Sequence, residues 1–249
     1  MFDLTGKVAF ITGGAGLLGR QHAEAILEFG GTVVVADINL DLAKRACEQL
    51  EGTAIPMQVD VNSRTSIQNA VDNCEKIDIL INNAAKDPKV GSLSNETMTE
   101  EFWKDGIETI LNGTFLCSQI VINKMLSQGG GVVLNIASDL GVIAPDQRIY
   151  EKDKPKPITY SAAKWGVIGM TKYLATYFAD KNIRVNSLSP AGIFNGQPDE
   201  FVDKLTNLVP MGRMANVDEY KGAVVFLCSD ASSYMTGSNL IVDGGRTSW

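Results

Sequence analysis

A single histidine, His22, among 249 residues rules out a metal centre built from several imidazoles. It also leaves His22 as the only base available to a Ser-His-Asp triad. The four cysteines, Cys47, Cys74, Cys117 and Cys228, lie far apart, and none forms a Cys-x-x-Cys pair. They read as reduced, packed thiols of a cytoplasmic protein, not as a disulfide framework or a redox pair. No uninterrupted apolar run exceeds Ala223 to Cys228, far short of a membrane span. Met1-Phe2-Asp3 lacks the basic start of a secretory leader. Basic clusters are missing too: 22 Lys and Arg stand against 29 Asp and Glu, a formal charge of −7. That balance argues against nucleic acid or an anionic membrane and leaves a small molecule as the expected partner.

What is present is an alternation of short apolar runs with longer amphipathic ones. Strand-like runs cover Val8 to Ile11, Thr32 to Ala36, Ile55 to Val59, Ile77 to Ile81, Gly131 to Ala137, Ile183 to Leu188 and Asn239 to Val242. They are rich in β-branched residues and mostly lack two-residue alternation, as in strands buried on both faces of a parallel sheet. Helix-length segments lie between them, at about 17–29, 39–50, 63–75, 98–127, 159–180 and 217–229. This rhythm predicts an α/β fold, a doubly wound parallel sheet of about seven strands with helices on both faces. No linker or composition break divides the chain, so residues 1–249 read as a single domain. Two stretches interrupt the rhythm. The polar loop 139–157 reads as a substrate-loop insertion, and 192–210 as a mobile segment over the site. Both follow strands at their carboxyl ends, where open α/β sheets bind ligands.

Thr12-Gly13-Gly14-Ala15-Gly16-Leu17-Leu18-Gly19 joins the first strand to the first helix. Glycines there allow a tight turn and close backbone approach to a pyrophosphate, which then meets the free N–H groups of the helix start. Asp37 ends the second strand, 18 residues after Gly19. A carboxylate at that place accepts hydrogen bonds from both adenosine ribose hydroxyls and repels a 2′-phosphate, which favours NAD over NADP. Further along come Asp60-Val61, Asn82-Asn83-Ala84-Ala85, Ser138, Tyr160-Ser161-Ala162-Ala163-Lys164, Asn186-Ser187-Leu188-Ser189-Pro190 and Val242-Asp243-Gly244-Gly245.

In order and spacing these segments resemble the short-chain dehydrogenase/reductase family, through nearly the whole chain. The resemblance implies a Rossmann-type fold. It also implies a catalytic set of Ser138, Tyr160 and Lys164. Cofactor contacts then fall on Gly13, Gly16, Leu18, Gly19, Asp37, Ile38, Asp60, Val61, Asn83, Ala84, Tyr160, Lys164, Pro190 and Ile193. Lys164 is expected to hold the nicotinamide ribose as well. A homo-oligomer, tetramer or dimer, is implied through the two long helices and the last strand, and Phe102, Trp103 and Trp165 suit such packing. The carboxyl-terminal stretch also resembles, faintly, oxidoreductases of flagellin or surface-sugar modification.

The tyrosine and lysine can be argued from chemistry. Residues four apart share one helix face, so Tyr160 and Lys164 point into the same space. A nearby ammonium favours the ionised phenol, which can then exchange a proton with an alcohol or carbonyl near neutral pH. Tyr150-Glu151-Lys152-Asp153-Lys154 carries the same spacing, and lies nearer Ser138, 12 residues away against 22. Pro155 and Pro157 forbid a regular helix through that segment, so the rigid pair is expected at Tyr160. Arg148, Lys152, Lys154 and Lys156 read as solvated loop charges or an anion-recognising lid.

Some positions depart from the family pattern. The spacing of Gly13, Gly16 and Gly19 is that of the longer sugar-nucleotide branch. Ile110 stands where many relatives carry an asparagine of the proton relay, and Asn112 is turned about 200° away on a regular helix. The expected activity is NAD(H)-dependent interconversion of a secondary alcohol and a ketone on a polar molecule, such as a sugar or its conjugate. Polar residues at strand ends (Lys86, Asp87, Asp139, Asn195 and Gln197) support that choice. Two rivals stand beside it. One is an NAD-retaining sugar-nucleotide epimerase or dehydratase, disfavoured by the short stretch after the last strand. The other is a non-catalytic NAD-binding regulatory protein.

Overall fold

The computed structural model describes residues 1–86 and 97–249; Asp87 lies outside the described residues. Seven strands form one sheet: β1 (Val8–Thr12), β2 (Thr32–Asp37), β3 (Ala54–Gln58), β4 (Ile79–Asn82), β5 (Gly131–Ile136), β6 (Ile183–Pro190) and β7 (Asn239–Val242). Their order is β3-β2-β1-β4-β5-β6-β7, and every neighbouring pair is parallel. Register is regular, with Phe10 opposite Val34 on one side and Leu80 on the other.

Eight α-helices occur among the described residues: α1 (Leu17–Glu28), α2 (Leu40–Glu48), α3 (Arg64–Asp72), α4 (Glu100–Ile107), α5 (Gly113–Gln128), α6 (Ile158–Phe178), α7 (Asp199–Thr206) and α8 (Lys221–Cys228). Local chemistry sets several starts. Asn39, Ser63 and Thr99 each accept a hydrogen bond from a backbone N–H of the first turn they precede. Gly129, at φ 91°, stops α5 in the left-handed conformation that glycine adopts without strain.

Alternate strand residues serve opposite helix layers. Phe10, Val34, Leu80, Val133 and Val185 pack with α3, α5 and α6 through Ile67, Val71, Val121 and Ala175. Ile11, Val33, Ile79, Ile81 and Leu134 pack with α1, α2 and α8 through Ala23, Ile26, Ala43 and Val224. Both faces are covered, which is why the strand sequences show no polar alternation.

The helix expected over 98–127 is broken. A π-helical turn, Glu108–Asn112, separates α4 from α5. One backbone step is added there, a change that side-chain periodicity does not signal. Nearby, α4 and α6 come together at Gly106, where an added Cβ would stand 2.5 Å from the Thr159 side chain. That close crossing holds the first turn of α6, which carries Tyr160.

His22 is fully buried in α1, and neither ring nitrogen has a hydrogen-bond partner. Burial lowers its pKa to about 4, so the folded protein keeps it neutral. The unfolded chain, at the ordinary value of 6.5, takes up the proton first as pH falls. Stability is therefore lost progressively from pH 6.5 down to about 4, by roughly 3 kcal/mol in all. Denaturant titrations at several pH values should show that slope in the parent protein and its absence in His22→Leu.

Candidate active site

The sheet order reverses between β1 and β4, and open α/β sheets leave a crevice at such a point. Here the crevice is locked open by side chains. The Thr12 hydroxyl accepts from the backbone N–H groups of Asn83 and Ala84, both at 3.1 Å. The Asn83 amide donates to the carbonyls of Thr12 and Gly13, both at 3.0 Å. The glycine turn after β1 is thereby tied to the end of β4. An added Cβ at Gly13 would stand 2.9 Å from Ala84 Cα, and one at Gly19 would stand 2.2 Å from the Gly13 carbonyl oxygen. Backbone meets backbone at both places, so larger residues cannot enter.

A cavity of about 1020 Å³ runs along the carboxyl ends of the strands. Gly13, Gly16, Leu18, Asp37, Ile38, Asp60, Val61, Asn83 and Ala84 line one end, and Ser138, Tyr160, Lys164, Pro190 and Ile193 the other. Of the expected residues, Gly19 is not in the lining; it sits behind Gly13 and sets the turn. Helix α1 opens at Gly16 with no side-chain cap, so its first N–H groups have no partner within the helix. The Asp37 carboxylate accepts from Ala15 N at 3.2 Å and Asn39 N at 3.1 Å, which aims it at the cavity's end. A tight glycine turn, a free helix start and a fixed carboxylate fit an adenosine diphosphate group.

At the other end, Ser138 follows β5 with extended backbone (φ −168°). Its hydroxyl donates to Asp139 Oδ1 at 2.9 Å and accepts from Leu140 N at 3.1 Å. Lys164 is 4% exposed and donates to the Ile136 carbonyl at 2.7 Å. Its ammonium lies 5.7 Å from the centre of the Tyr160 ring, so the two share one face of α6 as their spacing predicts. Tyr150 also lines the cavity and packs against Phe201 at 5.7 Å between ring centres. Lys154 pairs with Glu151 at 2.6 Å and is 54% exposed, away from the cavity lining. The second Tyr-x-x-x-Lys segment thus brings no lysine to its tyrosine.

Of the other expected polar groups, Lys86, Asp139 and Gln197 line the cavity, and Asn195 does not. Ile110 is buried with Ala137, Ala163 and Val167 against Tyr160. The Asn112 amide donates to Glu108 at 2.8 Å on the exposed side, so it does not stand in for a relay asparagine. His22, inside the α1 core, is absent from the cavity lining.

Sequence reasoning missed an ion pair. Asp139 Oδ2 accepts from Arg246 Nη1 at 2.7 Å, and both side chains are 5% exposed or less. Burial pushes the Asp139 carboxyl up, and the neighbouring guanidinium opposes that push. Arg246 is aimed inward by Asp243, whose carboxylate accepts from Gly245 N at 2.9 Å and Thr247 N at 2.7 Å. The partners are 107 residues apart, and no local pattern announces the pairing.

A family model described as enoyl-(acyl carrier protein) reductase matches residues 14–247. The NAD-dependent glycerol dehydrogenase of Listeria innocua is 37% identical, over 99% of this chain and 96% of its own length. A short chain dehydrogenase of Leptospira borgpetersenii, solved with NAD+ bound, is 34% identical with a TM-score of 0.86, over 98% and 94% of the two chains. A gluconate 5-dehydrogenase of Burkholderia cenocepacia, solved with NADP and tartrate, is 30% identical with a TM-score of 0.89, over 100% and 98%. The chain belongs to the short-chain dehydrogenase/reductase family. It is an enzyme, and its class uses a nicotinamide dinucleotide.

Asp139→Asn leaves the Arg246 charge buried without its counter-ion. Stability should fall by about 3 kcal/mol in chemical denaturation. The double variant Asp139→Asn/Arg246→Met should recover part of that loss, because it removes the orphaned charge.

Proposed function

We propose that this chain is an NAD(H)-dependent oxidoreductase that interconverts a secondary alcohol and a ketone on a polar small molecule. The observation that carries the reading is the Tyr160–Lys164 pair facing Ser138 across one cavity. Bound NAD supplies a two-electron acceptor or donor at the nicotinamide ring. The protein's own part is proton transfer and orientation. Tyr160 Oη takes the alcohol proton during oxidation and returns one during reduction. The Lys164 ammonium, held in place by the Ile136 carbonyl, favours the phenolate form.

Ser138 positions the substrate oxygen. Its hydrogen is directed to Asp139 and one lone pair to Leu140 N–H. The single O–H proton of an alcohol goes to Tyr160 and a ketone has none, so with either substrate the Ser138 hydroxyl turns from Asp139 and donates to the substrate oxygen. Ile193, Leu205, Met214 and Phe201 supply an apolar wall that limits water, and 192–210 acts as the cover over it. Residues 1–249 act together as one dinucleotide-binding and catalytic domain.

Asp37 supports NAD over NADP, because a carboxylate fixed at that end repels a 2′-phosphate. Lys86, Gln197, Asp139 and Arg246 support a polar substrate such as a polyol or sugar derivative. The similarity to a glycerol dehydrogenase agrees with that class. Exposed aromatic residues on α4, α5 and α6 (Trp103, Phe115, Trp165, Tyr173 and Tyr177) support self-association as a dimer or tetramer.

Absorbance of NADH over a panel of alditols, sugars and their acids tests the reading. Tyr160→Phe should lower kcat by about a hundredfold to ten-thousandfold while NADH still binds. Tyr150→Phe should stay within about tenfold of the parent, since loss of a general acid–base group costs far more. Turnover lost in Tyr150→Phe and kept in Tyr160→Phe would reverse the assignment. The parent should prefer NAD, and Asp37→Ser should erase most of that preference in kcat/KM. Sedimentation should give a mass that is a multiple of 26.8 kDa.

A further inference from the structure

Ser138 has to surrender its hydrogen to the substrate oxygen, and the group that holds this hydrogen beforehand is Asp139. Both oxygens of that carboxylate are committed. Oδ1 accepts from the Ser138 hydroxyl at 2.9 Å and from Leu140 N at 2.8 Å. Oδ2 accepts from Arg246 Nη1 at 2.7 Å. The same Leu140 N–H lies 3.1 Å from Ser138 Oγ, so it steadies both oxygens whichever way the hydroxyl points. Asp139 and Arg246 are 2% and 5% exposed, and buried this deeply they act on a substrate through Ser138.

Arg246 reaches the carboxylate from a turn that has little freedom. The Asp243 carboxylate accepts from Gly245 N and Thr247 N, the residues on either side of Arg246. Gly244 and Gly245, at φ 64° and 90°, lie against Val209 and Pro210, where an added Cβ would stand 2.7 and 2.9 Å from the side chains. Met211 N donates to the Gly244 carbonyl at 3.1 Å. Among the described residues the Arg246 side chain makes one hydrogen bond, from Nη1, while Nη2 is buried with no partner. An arginine that serves only to fasten two segments does so best side-on, through two nitrogens. Here a buried donor stays unused, which is costly. What Arg246 supplies to Asp139 is one N–H and one positive charge.

That charge decides how firmly Asp139 holds the Ser138 hydrogen. A hydrogen bond to a bare carboxylate is about twice as strong as one between neutral groups. In a buried site little solvent screens the pull. The guanidinium draws the negative charge toward Oδ2, away from the oxygen that faces Ser138. We propose that Arg246 is a positioning residue of the alcohol–ketone reaction: acting through Asp139, it loosens the hold on the Ser138 hydroxyl so that the hydrogen can turn to the substrate oxygen. This rests on the alcohol–ketone reading above and adds to it a residue that touches neither substrate nor cofactor. After the turn Leu140 N–H and the guanidinium stay in place, so each Asp139 oxygen keeps one partner.

The test is a double-mutant cycle. The probe is whichever of glycerol, threitol, xylitol and glucitol the parent oxidises fastest with NAD. Arg246→Met should lower kcat/KM for the alditol about tenfold, the difference between a charge-assisted and an ordinary hydrogen bond. KM for NAD should stay within about twofold of the parent, because the glycine turn and Asp37 are untouched. In a Ser138→Ala background the same substitution should cost less than about twofold, because the hydroxyl it acts on is gone. Arg246→Lys, which keeps the charge and one N–H, should restore most of the loss. Arg246→Gln, which keeps a donor and loses the charge, gives the same reading if the methionine variant does not fold. Calorimetry of the alditol with the NADH complexes repeats the cycle without turnover: binding should weaken in Arg246→Met and be equal in the two Ser138→Ala proteins. No loss in Arg246→Met, an equal loss in both backgrounds, or a lysine variant no better than the methionine one overturns the inference and leaves the alcohol–ketone reading standing. A parent that oxidises none of the four alditols sinks that reading and the inference with it.

Discussion

Seven strands that all run the same way place their carboxyl ends on one edge, so the loops that leave those ends meet there. Chains of connection pass to opposite faces from β1 and β4, so among the described residues no helix covers the gap between them. The Thr12–Asn83 hydrogen bonds hold this gap at a fixed width. Every group proposed for binding or chemistry hangs from this edge. Asp37 ends β2, Asn83 follows β4, Ser138 follows β5 and Pro190 ends β6. Tyr160 and Lys164 are brought to it by α6, whose start is held against α4 at Gly106.

Charge is handled differently at the two ends of the cavity. At one end a carboxylate, Asp37, is steadied by two backbone N–H groups and stays partly exposed. At the other, Lys164, Asp139 and Arg246 are buried and each has a fixed partner. Lys164 is bound to a strand carbonyl, and Asp139 to Arg246. A buried ion pair of this kind adds little net stability by itself. Its effect here is orientation, because the same carboxylate that holds Arg246 also takes the Ser138 hydroxyl hydrogen. The hydrophobic group Ile110, Ala137, Ala163 and Val167 packs behind Tyr160. A tyrosine in that setting has an apolar back and a polar front, which narrows the positions its hydroxyl can take.

Much of this was readable along the chain because it follows local rules. Buried strands leave continuous β-branched runs, and β1, β2, β5 and β6 fall where those runs lie. Prolines exclude helix, and Pro155 and Pro157 thereby distinguish Tyr160 from Tyr150 along the sequence itself. The π-helical turn at Glu108–Asn112 was not readable, since one extra backbone step leaves side-chain periodicity almost unchanged. Nor was the placement of Lys156, which differs from Arg148 and Lys154 through the grip of Gln147 nine residues earlier.

The amino-acid order by itself determined the alternation of strand and helix, the glycine turn, and the pairing of a tyrosine with a lysine one helical turn on. Those features depend on neighbours within a few positions, where backbone sterics and hydrophobic period act directly. Only the tertiary structure decided that Asp139 meets Arg246, that Lys156 lies over the Tyr160 ring, and that Asn112 faces outward. Such meetings depend on how whole elements are stacked and turned. Their geometry comes from packing across the sheet, and no short-range rule encodes it.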